Sequence, residues 1–207
     1  LLCRRKEYLP VAAFCGGMAA LFPDLDIIIR SENNPLLSLK YHRHFTHALV
    51  FIPLGAAIVS AIAWLIFRAS HTYRRLFIFS LCGIATHGML DSMTNYGTHF
   101  FWPFTERRES WSIISVVDPI FTFTLMGLLI AALCTRARKF VAISALFALS
   151  YWSFGYIQRE SATAQMLQIA NARGHVVEHS EVKPSLGNLF VWRMQYRYQQ
   201  RAYIDAV

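Results

Sequence analysis

The sequence predicts an all-α, polytopic membrane protein with about five transmembrane helices, followed by a small extramembrane α+β segment. Of the 207 residues, 55% are hydrophobic and only 15% are charged, whereas soluble domains carry about a quarter charged residues. The apolar residues also form long runs, and no charged residue occurs within 48–67, 119–135 or 140–158. Because a helix needs about 17 to 25 mainly apolar residues to cross the hydrocarbon core, each of these runs can span a bilayer.

The predicted spans divide the chain into two parts. A transmembrane helical domain covers residues 1–158, with spans at about 8–26, 47–67, 76–96, 114–135 and 140–158. The remainder, 159–207, is more polar and is expected to lie outside the membrane. It begins with a pattern that suits a surface helix ended by Gly174. It continues with the alternating apolar and polar side chains of a strand over 191–198.

Basic residues in the short loops predict the orientation. They cluster before the first span, between the second and third, and between the fourth and fifth, in 4–6, 68–75 and 136–139. With five alternating spans these clusters share one side, which the positive-inside rule makes cytoplasmic. The basic residues behind the net charge of +8 fall mainly in short loops between apolar runs, so the expected partner is the lipid bilayer and not nucleic acid. Because the chain starts at Leu1 without an initiator Met, we expect residues upstream of it.

Histidine and aspartate residues concentrate at the ends of the predicted spans. Asp24 and Asp26 close the first span; His42, His44 and His47 precede the second; His87 and Asp91 end the third. Ionisable groups near a bilayer core are costly, so they are usually paired, metal-bound or functional. In the predicted topology all of them face the non-cytoplasmic side. The sequence therefore predicts a metal centre whose candidate ligands are Asp24, Asp26, His42, His47, His87 and Asp91.

The spacing of these residues supports a shared site. His87 and Asp91 are four apart, which places both on one face of a helix. Asp24 and Asp26 follow Pro23, where the chain leaves regular helix, and two converging carboxylates repel each other unless a cation neutralises them.

The histidines before the second span fit a different arrangement. His42 and His47 are five apart, so we expect a loop to hold His42 and the second helix to start at His47. The position of His44 is left open, because His42 and His44 cannot easily both point inward.

The donor types narrow the metal. Mixed nitrogen and oxygen ligands favour zinc, with Mn or Fe as alternatives, over Ca or Mg. Six candidates exceed one tetrahedral site, so one or two ions are expected. For the isolated His71 and His99 we favour hydrogen bonding between helices over metal binding. Asp118, which precedes Pro119, fits either a helix N-cap or a place in the metal site.

Taken together, these motifs carry a resemblance over about residues 16–135. The motifs are Phe-Pro-Asp-Leu-Asp, His-Arg-x-x-Thr-His, His-x-x-x-Asp-x-x-Thr-x-Tyr-Gly, Trp-Pro-Phe and Val-Asp-Pro-Ile-Phe-Thr. In this order the chain resembles the membrane-bound metal-dependent hydrolases, a YdjM-like family that includes LexA-regulated inner-membrane proteins of bacteria. The resemblance implies a multi-pass protein of the bacterial inner membrane in which the six candidate ligands bind metal. The chain departs from the usual pattern at His44, commonly Gly, and at Ala48, commonly Ser.

The resemblance also suggests a chemistry. The His-x-x-x-Asp element is similar to one in zinc-dependent phospholipase C and P1-type nucleases, which by analogy implies phosphate-ester cleavage. We therefore expect a metal-dependent hydrolase that acts on an amphipathic or phosphate-containing substrate at the outer face. Asp24 or Asp26 would serve as general base, and Arg43, Arg107 and Arg108 would bind phosphate. The alternatives are a metal-ion or proton transporter, or a structural membrane protein with a bound metal.

Overall fold

The structure, a computed structural model, describes residues 6–31, 33–34 and 36–207, and these are mainly helical. Arg4 and Arg5 of the first basic cluster lie outside the described residues. The described α-helices are α1 (Leu9–Leu21), α2 (Leu36–Tyr41), α3 (Phe51–Phe67), α4 (Tyr73–Met93), α5 (Pro119–Thr135) and α6 (Arg138–Ala172). Short 3-10 segments occupy Pro23–Ile28 and Phe45–His47, and three strands, β1 (His179–Pro184), β2 (Trp192–Tyr198) and β3 (Arg201–Ala206), follow α6.

Three segments of the described chain are long and apolar enough to cross a membrane. They are Leu9–Ile28, which joins α1 to the 3-10 segment after it, Tyr73–Met93 and Arg138–Ala172. The apolar helices α3 and α5 are shorter, at 17 residues each. The structure therefore supports a helical membrane protein, but it does not confirm the five predicted spans.

The start of α3 differs from the prediction that His47 begins the second helix. His47 ends a 3-10 turn, and α3 begins four residues later at Phe51. Between them Ala48 is extended, with φ −72° and ψ 149°, and the Leu49 backbone N–H donates to the carbonyl of Phe100 at 2.9 Å. Because Ala48 is extended, the chain is not helical directly after His47, and α3 begins only beyond it.

The described chain forms two compact units, and the first comprises its residues up to 92 together with 97–110. Its core contains small and aliphatic side chains from α1, α3 and α4, among them Ala19, Ala56 and Ile84. Gly16 of α1 lies directly against Gly83 of α4, and a Cβ atom added at Gly83 would overlap the Gly16 backbone. Close approach of this kind between small residues is typical of helices that pack within membranes. It fixes α1 against the helix that carries His87 and Asp91.

We expect Gly83→Val to destabilise the first unit, because valine would have to displace the backbone of α1 and not merely a flexible side chain. Overpacking a core costs about 1 to 3 kcal/mol. Thermal unfolding of the protein in detergent should therefore shift to a lower temperature. The matched control is Gly17→Val, where nothing lies within 4 Å of an added Cβ. Equal melting temperatures for the two variants would contradict the close crossing.

Large apolar side chains cover the outer surface of the helices in both units. In the first unit they include Phe14, Leu54 and Ile62, and in the second Phe123 and Leu146, all exposed. Such faces are unfavourable in water but are expected where lipid surrounds the helices.

The second unit comprises residues 93–96 and 111–207 and contains α5, α6 and the sheet. Asp118 caps α5: its carboxylate accepts from the Phe121 N–H at 3.0 Å and from the Tyr151 hydroxyl at 2.7 Å. This confirms the N-cap alternative for Asp118. The predicted fifth span and the predicted surface helix are one continuous helix, α6, of 35 residues. The chain turns after it at Gly174, where φ is +70°.

The strands form an antiparallel sheet in the order β1-β2-β3. In β2 the side chains of Trp192, Met194 and Tyr196 are buried while Arg193 and Arg197 are exposed. The predicted alternation is therefore confirmed. The sheet packs against α6 through β1 and β2, and the buried residues in the C-terminal half of α6 are Ala162, Met166 and Ala170.

Candidate metal centre

Three local structures, all in the first unit, deliver the donors of the candidate site. Asp24 lies in the 3-10 segment that follows α1 and begins at Pro23. His47 ends the 3-10 turn Phe45–His47. His87 and Asp91 lie in the last two turns of α4, one helical turn apart. The prediction that Asp24 and Asp26 occupy a segment that is no longer regular α-helix is confirmed.

Four donor atoms converge on one point. The His47 Nε2 atom lies 3.4 Å from Asp24 Oδ1 and 3.2 Å from Asp91 Oδ2. The His87 Nε2 atom lies 3.6 Å from the same Asp24 oxygen and 3.4 Å from the same Asp91 oxygen. The two imidazole nitrogens are 3.1 Å apart. Asp24, His47, His87 and Asp91, here called the four-donor cluster, thus present one atom each within 4.8 Å of one another.

These separations match the size of a tetrahedral metal site. Zinc bonds to nitrogen and oxygen of about 2.0 to 2.2 Å place neighbouring tetrahedral donors about 3.3 to 3.6 Å apart. The five distances above run from 3.1 to 3.6 Å. The cluster can therefore hold a divalent metal ion with little movement of its side chains.

The orientation of His47 is fixed from behind. Its Nδ1 atom lies 3.0 Å from the Thr46 hydroxyl and 3.5 Å from Asp26 Oδ2, and its side chain is fully buried. When Nδ1 carries the proton it donates to the Thr46 hydroxyl, which in turn donates to Asp26, and the Nε2 lone pair is then directed at the metal position.

The charge around His47 also favours a cation. Burial alone would lower the pKa of His47, but the carboxylates of Asp24 and Asp91 outweigh it and raise that pKa. Positive charge at this point of the cluster is therefore stabilised by its neighbours.

The structure places Asp26 and His42 together, next to the four-donor cluster. Asp26 is buried, and its Oδ1 atom lies 3.0 Å from His42 Nδ1. Its Oδ2 atom accepts from the Arg43 backbone N–H at 2.8 Å and from the Thr46 hydroxyl at 3.0 Å. Asp26 thus holds together the segment that carries His47. The assignment of Asp26 and His42 as metal ligands stays a prediction.

The three candidate phosphate-binding arginines have different surroundings. Arg43 adopts a left-handed backbone conformation, φ 58°, and its Nε atom lies 3.3 Å from Asp91 Oδ2. Arg108 donates from Nη2 to the His42 carbonyl at 3.0 Å. Arg107 is exposed and lies 3.7 Å from Glu109. Only Arg43 among these three directly contacts a residue of the four-donor cluster through an ion pair in the described chain.

The sequence reasoning missed two residues that shape the site. The Thr46 hydroxyl lies between Asp26 and His47, and its position inside the His-Arg-x-x-Thr-His motif was the available signal. Gly88 follows His87 on α4, and a Cβ atom there would lie 3.0 Å from the His47 carbonyl. Glycine therefore lets α4 approach the 3-10 turn closely enough for His47 and His87 to meet.

The fold and the site together define the class of this protein. It is a helical membrane protein with a buried cluster of aspartate and histidine. The profile of the "YdjM inner membrane protein" family matches residues 1–162. Since this is more than half of the chain, the protein belongs to that family, and the predicted resemblance is confirmed.

Two relatives share part of the chain. It is 28% identical over 109 residues to the uncharacterized protein YfhP of Bacillus subtilis, a match that covers 53% of this chain and 32% of YfhP. It is 30% identical over 118 residues to the inner membrane protein YbcI of Escherichia coli, which covers 54% of this chain and 65% of YbcI. The chain thus matches about a third of one relative and somewhat under two thirds of the other. No solved structure matches it.

Proposed function

We propose that this protein is a membrane-embedded, metal-dependent hydrolase that cleaves a phosphate ester of an amphipathic or lipid substrate. The observation that carries the proposal is the four-donor cluster at the end of α4, in which His47, His87 and Asp91 can hold an ion while the half-exposed Asp24 stays free to act on a water molecule. Two imidazoles and two carboxylates suit zinc, and Mn or Fe fit less well. When bound, such an ion acts as a Lewis acid that activates water and polarises a phosphoryl oxygen.

Asp24 is the better of the two candidates for general base. Its side chain is 46% exposed, so a water molecule and a substrate can reach it. Its Oδ1 atom faces the imidazoles, and its second carboxylate oxygen can accept a proton. The Asp26 side chain is fully buried and already accepts hydrogen bonds from Arg43 and Thr46, so its proposed role is to position the segment around His47.

Arg43 is the strongest candidate for contact with phosphate. Its side chain is mostly buried, with 14% exposed, and its Nε atom already lies beside Asp91. A guanidinium group has five N–H donors in a planar fork that fits phosphate oxygens. Arg43 can therefore keep its contact with Asp91 and direct other donors to a phosphoryl group at the cluster. Arg107 and Arg108 remain proposed contacts of the substrate further from the cluster.

The buried side chains of the helices favour hydrolysis over transport. A transporter needs polar groups along the whole crossing. In the described parts of α1, α3 and α4, the buried side chains between the cluster and the opposite helix ends are mainly apolar, such as Cys15, Ala56 and Leu76. The buried polar groups there are the hydroxyls of Ser60 and Ser80, and no buried carboxylate or imidazole continues the path in these described residues.

The proposal predicts that the purified protein, loaded with zinc in detergent, hydrolyses a chromogenic phosphodiester such as bis(p-nitrophenyl) phosphate. We expect His87→Ala and Asp91→Ala to lower kcat/KM by at least about 100-fold, because removing a ligand should cost no less than removing a residue that merely orients one. Arg43→Lys should raise KM, since lysine cannot form a bidentate contact.

The control is His71→Ala, which removes a half-buried imidazole whose Nδ1 atom contacts the Ser70 hydroxyl and no member of the four-donor cluster. Turnover that is equal in the wild type, His87→Ala and Asp91→Ala would overturn the hydrolase assignment. Turnover that is absent from the wild type with both zinc and manganese would also count against it, provided that metal binding is intact.

A further inference from the structure

We propose a second metal site, separate from the four-donor cluster and formed by His44, His99 and Glu106, that binds a single zinc ion or a similar divalent transition metal. Each of these residues offers one ligand atom, and the three atoms lie within 4.8 Å of one another. All three belong to the first unit. The inference does not rest on the proposed hydrolase activity.

The two imidazoles are arranged like the pair in the four-donor cluster. The ring centroids of His44 and His99 are 4.5 Å apart with an interplanar angle of 42°. For His47 and His87 the corresponding values are 5.0 Å and 47°. The same mutual geometry therefore occurs twice in the first unit, each time with a carboxylate beside it.

The polar atoms of this group have unmet bonding capacity. His44 is 8% exposed, and its Nε2 atom lies 3.7 Å from Glu106 Oε2, which is too long for a hydrogen bond. Within the described residues, the buried Nδ1 atoms of His44 and His99 have no hydrogen-bond partner. A buried imidazole nitrogen without a protein partner can take up a water molecule or a metal ion.

Backbone hydrogen bonds hold the three residues in place. The His99 N–H donates to the Arg43 carbonyl at 3.1 Å, so the segments that carry His99 and His44 are joined directly. Thr98 and Glu109 exchange two backbone hydrogen bonds of 2.9 and 2.7 Å, which hold the segment around Glu106 beside His99. The site is therefore organised before any ion enters, which lowers the entropic cost of binding.

The surroundings divide the site into a dry side and an open side. The rings of Tyr41, Phe45 and Trp102 surround His44 with centroid distances of 5.6, 6.3 and 5.8 Å. Glu106, in contrast, is 81% exposed in its side chain. An ion held there would have three protein ligands and a position open to water. Two histidines with one glutamate form a ligand set that zinc adopts in open sites.

The test uses the full chain in detergent, with Co²⁺ as a spectroscopic probe for the zinc site. His87→Ala combined with Asp91→Asn disables the four-donor cluster, and this background should still bind one equivalent of Co²⁺ with a visible absorption band. Adding Glu106→Gln or His99→Gln should weaken that binding at least about 100-fold, because losing a ligand should cost no less than the largest loss typical of an orienting residue. Glu109→Gln, a matched change in the same loop, should leave it unchanged.

A second measurement covers the case in which the double-variant background does not fold. In the otherwise unchanged chain, Glu106→Gln replaces an exposed side chain and should reduce the zinc content by one equivalent, as measured by mass spectrometry of the metal. Zinc content and Co²⁺ spectra that are the same with and without Glu106→Gln would overturn the second site. The outcome of the phosphodiester assay does not affect these measurements of metal content and Co²⁺ spectra. Failure of the hydrolase proposal and failure of the second metal site can therefore be distinguished.

Discussion

The His87→Ala variant is expected to lose metal from the four-donor cluster almost completely. In the wild type the His87 Nε2 atom lies 3.1 to 3.6 Å from the other three donor atoms. Removing the imidazole therefore leaves the cluster without one of its four ligands. The remaining carboxylates of Asp24 and Asp91 would then repel each other without a full ligand set to hold a cation. We expect the zinc affinity to fall at least about 100-fold.

The measurement is competition between the protein and a zinc indicator, carried out in a Glu106→Gln background so that only the four-donor cluster reports. Asp91→Ala should give a similar loss, whereas His71→Ala should bind like the parent. Retention of zinc at parental affinity by both His87→Ala and Asp91→Ala would show that these residues do not bind it.

The Asp26→Ala variant is expected to have the largest effect on stability. The Asp26 carboxylate is fully buried and is contacted by the His42 ring, the Arg43 backbone N–H and the Thr46 hydroxyl. Removing it leaves the Arg43 N–H and the buried Thr46 hydroxyl without their acceptor, which costs about 1 to 3 kcal/mol for each group. Thr46→Val should cost about 1 kcal/mol, because it removes one hydroxyl from the same arrangement.

Thermal unfolding in detergent with a chelator checks this expectation, since the chelator removes any contribution from bound metal. Asp24→Ala is the matched control: it removes a carboxylate two residues away whose side chain is nearly half exposed. We expect its melting temperature to stay close to the parent value. If Asp24→Ala and Asp26→Ala unfold at the same temperature, the positioning role of Asp26 is refuted.

The sequence could predict the parts of the site that follow from helical periodicity. His87 and Asp91 share a face because they are four apart, and their side chains do meet. The strand pattern of β2 followed in the same way from its period of two. Membership of the inner-membrane family was also predictable, because the order of the motifs carries more information than any one of them.

The different surroundings of Asp24 and Asp26 could not be predicted. Both follow Pro23 in a 3-10 segment, and such a short segment has no periodicity that shows which side chain points inward. Only the fold makes Asp26 buried and Asp24 half exposed. The left-handed backbone of Arg43 is equally invisible in the sequence, although it directs an N–H group at Asp26.

The prediction that His99 forms a hydrogen bond between helices was wrong, because it assumed that His99 lies in a helix. His99 lies outside the helices, next to His44. The fold brings Thr98 and Glu109 together in an isolated bridge, and this long-range pairing places Glu106 beside the two histidines. No local pattern in residues 98–109 indicates this pairing, so the group of His44, His99 and Glu106 could not be predicted from the sequence.

The unbroken course of α6 has a mechanical consequence. At 1.5 Å per residue, its 35 residues extend about 52 Å, whereas the hydrocarbon core of a bilayer is about 30 Å thick. If its uncharged residues 140–158 lie among the lipid chains, roughly 20 Å of the same helix must lie outside the hydrocarbon core. A small tilt of the helix within the lipid would then displace the attached sheet by a larger distance.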